Sequence, residues 1–295
     1  MSSTPLLADY QGLPGTWDEL FTPEGAPRPA FRKALDVLGA HDRAAFAVCQ
    51  GLAERALLNQ GVTFSVYSDQ RGTEKIFPFC LVPRMVSAPD WARLSRGLVQ
   101  RVQALELFLA DLHGEQRILR DGTLPADLVL GSKSWFPQLR GVTPPGGVRI
   151  HIAGIDLVRD PQGTFRVLED NLRTPSGVSY VLENRIISKR VIPEALDAAR
   201  VEPVDAYPTR LADSLRSVSP VDPGATSAVV LTPGPYNSAY FEHSFLARTM
   251  GLELVQAADL FTEGDRVFCR TTRGPRPVHV IYRRIDETYL DPEVF

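Results

Sequence analysis

The sequence predicts a mixed α/β protein, and three patterns in it do so. Residues 154–171 alternate apolar and polar side chains on either side of "DPQGT", the mark of an antiparallel hairpin. Residues 90–114 place apolar side chains at helical spacing. Residues 227–260 read strand, helix, strand, the spacing of a small Rossmann-like unit. That unit lacks GxGxxG, so a dinucleotide site is not indicated.

Taken in order, the first thirty residues are rich in Gly and Pro and read as an irregular arm. Phe31, Leu35 and Leu38, then Phe46, Cys49, Leu52 and Leu57, predict two helices broken near Gly39. "GVTFSVYSD" (61–69) predicts a strand, and "PFCLVPRMVS" (78–87) a further extended segment. Asp90–Gly114 predicts a core helix with an acidic cap, a solvated basic face and a Gly stop. "TPPGG" marks a turn before Val148. After the hairpin a helix is expected from about Gly177 to Arg190. Residues 201–226 hold a short helix between Pro-rich flanks and read as a boundary. "SAVVLTPGP" predicts a buried strand, "YNSAYFEHSFLARTMG" a helix ending at Gly251, and "LELVQAADL" the next strand. "DRVFCRTT" and "PVHVIYRRI" are expected to pair. The expected division is 1–200, containing the hairpin 154–177, and 201–295, the Rossmann-like unit.

Composition narrows the function. A net charge of −3 gives no polyanion-binding signature, so a nucleic-acid partner is not expected. No apolar run is long enough for a membrane span, and no basic-then-apolar leader opens the chain. Cys49, Cys80 and Cys269 fit neither a disulfide framework nor a metal-binding pair, so reduced thiols in a cytoplasm are expected.

The hairpin carries the chemistry. Asp160 opposite Phe165 puts Val158 opposite Val167 and Asp156 opposite Glu169, with carboxylates on one face and Asn171 beside them. Such a hard-oxygen set suits Mg²⁺. Spacing alone also fits solvated acids on a surface hairpin, and a third reading is a carboxylate–metal hydrolase using Asp156, Glu169 and Asp170. Arg173 follows and could hold a phosphate or carboxylate. Ser176 could cap the next helix, whose N-terminus favours an anion. Further candidates are Tyr236, Asn237 and Glu242 in a strand-to-helix loop, and Arg283, Arg284 and Asp286 in "IYRRIDE". No Ser/His/Asp nucleophile set is evident, and His113, His151 and His243 read as structural.

"GIDLVRD…FRVLEDNLRTPSGVSYVLENR" resembles the signature of the circularly permuted ATP-grasp proteins, a group including glutathionylspermidine synthase-like ligases. "GLVQRVQALELFLADLHG", "PGPYNSAYFEHSFLARTMGLEL" and "VIYRRIDETYLDP" look like blocks of the same family, so the resemblance covers most of the chain from about residue 60. It implies a partial ATP-grasp fold with a Mg-binding hairpin and a pre-ATP-grasp unit. It implies ATP and two Mg²⁺ ions, with Asp156, Glu169 and Asn171 as metal ligands and Arg173 on the γ-phosphate or acyl phosphate. It also implies ligation of a small-molecule carboxylate to an amine. Cys80 and Glu106 depart from the Asp and Asn expected at those positions, which puts substrate identity in question. None of Lys33, Lys75, Lys133 and Lys189 lies in the Gly-rich loop that should grip the nucleotide. The chain is therefore expected to be a fragment lacking a C-terminal lysine-bearing lobe and inactive alone. The alternative is a non-catalytic binding module of the same fold.

Overall fold

The structure is a computed structural model that describes residues 5–65 and 74–290. Among these, the elements run in the order α1 (Arg32–Gly39), α2 (Arg43–Asn59), β1 (Thr63–Ser65), β2 (Glu74–Ile76), α3 (Ala88–Leu112), α4 (Arg117–Arg120), α5 (Ala126–Leu130), β3 (Gly154–Arg159), β4 (Phe165–Asn171), α6 (Val178–Val191), α7 (Pro193–Ala199), α8 (Tyr207–Ser217), β5 (Ala228–Leu231), α9 (Tyr240–Met250), β6 (Glu253–Val255), β7 (Leu260–Glu263), β8 (Arg266–Thr271), β9 (Gly274–Val278) and β10 (Val280–Arg283). They fall into two compact units. Unit 1 comprises Met1–Met85, Asp160–Gly163 and Ser176–Phe295; unit 2 comprises Val86–Arg159 and Thr164–Pro175.

Unit 1 has a layered interior. Leu38, Leu57, Val62, Leu81, Ile187 and Ile192 form one apolar cluster where α1 and α2 meet α6 and α7. α2 begins where Asp42 accepts the Ala45 N–H at 2.7 Å, a side-chain N-cap. β10, β5 and β6 form a parallel three-stranded sheet in that order. β5 is buried along its length, because a parallel strand is covered on both faces. α9 connects β5 to β6 and ends at Gly251, whose φ of 68° is the left-handed stop that glycine supplies. β7, β8 and β9 make an antiparallel meander. Val229, Leu231 and Val255 of the parallel sheet pack with Cys269 and Val278 of the meander in a second cluster.

Several expectations change here. "PVHVIYRRI" is two strands, not one. Val278 closes β9, His279 turns the chain, and β10 joins β5 instead of pairing with β8. His279 supports the switch by accepting the Ser227 N–H at its Nδ1, 3.0 Å away. "PFCLVPRMVS" forms no ladder. Its backbone is held instead by Gln50, which donates to the Phe79 carbonyl and accepts from the Leu81 N–H. Residues 66–69 of the expected first strand lie outside the described residues. α7, α4 and α5 were not anticipated, being too short to show periodicity.

Unit 2 contains α3, α4, α5 and the β3–β4 hairpin. The α3 cap is Ser87, which accepts the Asp90 N–H; Asp90 is not the cap and pairs with Arg159 and Arg93. Of α3 only Leu112 is buried, so the expected core helix is largely exposed, with Trp91, Val99 and Leu107 open.

Candidate functional site

The hairpin positions its acids through a break in its own ladder. Near the turn Arg159 pairs with Phe165 and Val158 with Arg166, one residue away from the register expected for that end. Between Leu157 and Asp156 the register shifts, leaving Leu168 as the extra residue of a β-bulge. Beyond the bulge Asp156 stands opposite Glu169, and Gly154 opposite Asn171. Cross-strand partners share a face, so the two carboxylates lie together. Asn171 Nδ2 donates to Glu169 Oε1 at 3.1 Å, which leaves its carboxamide oxygen as a neutral donor atom. Partial desolvation, followed by the facing Glu169, holds the Asp156 carboxyl above its ordinary range. Gly154 has a reason to be glycine: a Cβ there would meet the Pro175 side chain at 2.7 Å.

The opposite face is tied elsewhere. Asp170 alternates away from Glu169 and receives three hydrogen bonds from Arg101 on α3, at 2.8, 3.1 and 2.6 Å. That contact holds the Asp170 carboxyl below its usual range. Asp170 is thus committed to a guanidinium, which removes it from the Asp156–Glu169 pair that the hydrolase reading needs. Among the described residues no group of three or more His, Cys, Asp or Glu gathers to hold a metal. Glu106 spends both carboxylate oxygens on the backbone N–H groups of Arg149 and Ile150, at 2.6 and 2.9 Å. Glu106, where the resemblance leads one to expect Asn, thus has a structural role here. Cys80 is exposed and lies 3.6 Å from the Val82 carbonyl.

In unit 1 the start of α6 differs from expectation. Gly177, at φ 118°, occupies the cap position and so offers no side chain of its own, and Ser176 is exposed. The N–H groups of Gly177 and Ser179 go instead to Oε2 of Glu242, at 2.6 and 3.2 Å, with Ser179 Oγ adding a third bond at 2.9 Å. The anion at this helix N-terminus is the protein's own carboxylate. The other Glu242 oxygen accepts from Arg284 at 2.9 Å, and the two side chains are 0% and 3% exposed. Both are engaged inside the fold and are not presented at a surface. Near them, burial pushes the Tyr207 hydroxyl up to about 12. Burial, then Arg284, lowers His243 to about 4, so it stays neutral and bonds Thr232 Oγ1 at 2.8 Å.

The other candidates scatter. Arg283 donates to Glu287 at 3.0 Å, and strand alternation sends it away from Arg284. Asp286 caps a short turn by accepting from Thr288. Asn237 accepts the Ala239 N–H, and Tyr236 is 88% exposed. Arg173 lies exposed in the bend just past β4. No described helix is long and apolar enough to cross a membrane. Sequence reading missed Arg101 and Glu242 as organisers, because each acts across more than sixty residues.

The donor set of the hairpin fits a hard divalent cation. It offers two opposed carboxylates and a carboxamide oxygen, all oxygen ligands, and two carboxylates so placed repel each other unless a cation lies between them.

Comparison with known proteins places the chain in a family. A glutathione synthetase-like effector from Globodera pallida, solved in its apo form, shares the fold with a TM-score of 0.51 at 13% identity; the match covers 92% of this chain and 61% of that one. An uncharacterized protein of Mycobacterium tuberculosis is 50% identical over 279 residues, covering 95% of this chain and 50% of the relative. One from Synechocystis is 46% identical, with 95% and 58% covered. A Frankia casuarinae protein named as a candidate glutamate–cysteine ligase is 40% identical over 287 residues, with 97% and 33% covered. This chain therefore spans about half the length of the first relatives it matches. The family model described as circularly permuted ATP-grasp type 2 matches residues 83–295, so the chain belongs to that family.

Proposed function

We propose that this chain supplies the magnesium-binding hairpin of an ATP-dependent carboxylate–amine ligase. The carrying observation is Asp156 opposite Glu169 with Asn171 hydrogen-bonded alongside. Family membership and the ligase name of one relative support the reaction class. In that reaction a carboxylate oxygen takes the terminal phosphoryl group of ATP and ADP leaves. The amine nitrogen then attacks the acyl carbon, and inorganic phosphate departs as the amide forms.

Asp156, Glu169 and Asn171 would hold two Mg²⁺ ions with ATP, neutralising charge on the phosphoryl group in transit. The hairpin residues position oxygen donors on one face, and the bulge keeps that face in phase. Arg173, in the bend just past β4, is the guanidinium assigned to the phosphate. Arg283, Tyr236 and Asn237 are the unit 1 side chains assigned to substrate contact, whereas Arg284 and Glu242 hold the start of α6. Amino-acid-sized acids and amines are the proposed substrates. The division at residue 200, with the nucleotide-gripping lysines supplied outside this chain, belongs to the same reading. So does a reducing cytoplasm, in keeping with three free thiols.

The test is Mg²⁺-dependent phosphate release from ATP by the whole polypeptide, across pools of amino acids and amines. Glu169→Gln should abolish turnover and weaken Mg²⁺ binding by tenfold or more. Turnover unchanged in Glu169→Gln would sink the assignment.

A further inference from the structure

A cavity of about 460 Å³ lies between the last two turns of α6 and the end of α7, entirely within unit 1. Arg185, Lys189 and Arg200 line it together with Asp197, Leu196 and Val201. None of these residues belongs to the hairpin or to the Glu242–Arg284 cluster.

Two local choices at this cavity run against backbone and helix preferences. Arg185 and Lys189 are four apart on α6, a like-charge pair that disfavours the helix. Arg200 sits at φ 50°, ψ 53°, directly after α7. The Arg200 N–H bonds the Asp197 carbonyl and the Val201 N–H bonds the Leu196 carbonyl, a helix-ending motif whose left-handed position favours glycine. The chain therefore places a guanidinium where the backbone asks for no side chain. Lys189 complements the C-terminal dipole of α6. That argument reaches neither Arg185, a turn earlier, nor Arg200, beyond α7.

Among the described residues Arg185, Lys189 and Arg200 make no ion pair, although Asp197 lines the same cavity. Arg185 is half-buried, and its guanidinium is oriented by a bond to the Glu202 carbonyl at 2.8 Å. Unfavourable local choices that converge on one cavity mark a site rather than a packing accident. We propose that this cavity binds a small dianion. Arg185, Arg200 and Lys189 would hold the doubly charged head, with Leu196 and Val201 against the apolar part. Guanidinium pairs suit planar or tetrahedral oxyanions, so the head is a phosphate ester or a dicarboxylate.

The experiment is calorimetric titration of the whole chain, at low ionic strength and pH 7, with inorganic phosphate and separately with succinate. Saturable binding of at least one is expected, and the tighter of the two names the head group. Arg200→Gly should weaken that binding tenfold or more while raising the melting temperature, because glycine suits the left-handed position. A purely structural Arg200 would not give those opposite signs. Arg185→Gln should weaken binding similarly, and Arg190→Gln, which does not line the cavity, should leave it unchanged. The proposal is overturned if neither anion saturates, or if Arg200→Gly and Arg185→Gln both bind within twofold of the parent.

Discussion

Leu38, Leu57, Ile187, Ile192, Val229 and Val230 are each at most 1% exposed, and all lie in unit 1. Unit 2, which carries the candidate metal hairpin, buries only Leu112 and Ile150 among its described apolar side chains. It is tied by polar contacts instead: Arg101 with Asp170, Arg159 with Asp90, and Glu106 with two backbone amides. Apolar burial is indifferent to salt and ligand charge, whereas exposed ion pairs respond to both. The contrast teaches that the hairpin is held in the more adjustable part of the molecule. Ligand-handling elements are commonly drawn from the less stable end of a fold.

The largest effect expected within unit 1 comes from the fully buried Glu242–Arg284 ion pair. Glu242→Ala strands Arg284 and two α6 N–H groups, and should cost about 3–5 kcal/mol by chemical denaturation. Next, Ile187→Ala should cost about 2–5 kcal/mol through the cavity it leaves. Leu107→Ala in unit 2, at a side chain 72% exposed, should stay within about 0.5 kcal/mol. Equal losses at the two positions would erase the comparison.

Acid should separate the units as well. His243 titrates at about 4 in the fold and near 6.5 when unfolded, so the unfolded chain binds the proton first. Stability of unit 1 should therefore fall by up to about 3 kcal/mol as pH drops from 6.5 to 4. In unit 2, desolvation opposes but Arg159 and Ser87 prevail at Asp90, and Arg101 acts on Asp170; both carboxyls sit below their ordinary range. Their contribution is present above the ordinary carboxylate range and is lost only below it. Hydrogen exchange at pH 7 and 4.5 should show loosened protection at β5 and α9 before β3 and β4. Arg101→Ala should also have only a small effect, one that fades with added salt, since the guanidinium is 44% exposed.

The sequence was most legible where local pattern decided the outcome. Helices such as α2 and α9 announced themselves by apolar spacing, and the hairpin by alternation around Pro161 and Gly163. The pairing of Asp156 with Glu169 could be counted from the turn, but the count assumed an unbroken ladder. The bulge at Leu168 has no compositional mark, so the expected partner of Val158 was off by one. Roles fixed by distant contacts were illegible in principle. Nothing near Glu242 announces that it closes a helix sixty-five residues earlier, and nothing near Glu106 points to the amides of Arg149 and Ile150. His279 is a similar case, because a single residue divides a continuous β-rich run between two sheets.

The extra residue at Leu168 has a consequence for how this hairpin can vary. In an unbroken ladder continued from Arg159–Phe165, Asp156 would face Leu168, and Glu169 would turn to the other side. The bulge works as a one-step phase shifter between a turn end and an acid end. Residues near the turn can be lengthened, shortened or repacked while the acids keep their partner. Deletion of Leu168 would remove the bulge and still leave Asp156 opposite Glu169, so the pairing rests on that residue being left out of the ladder.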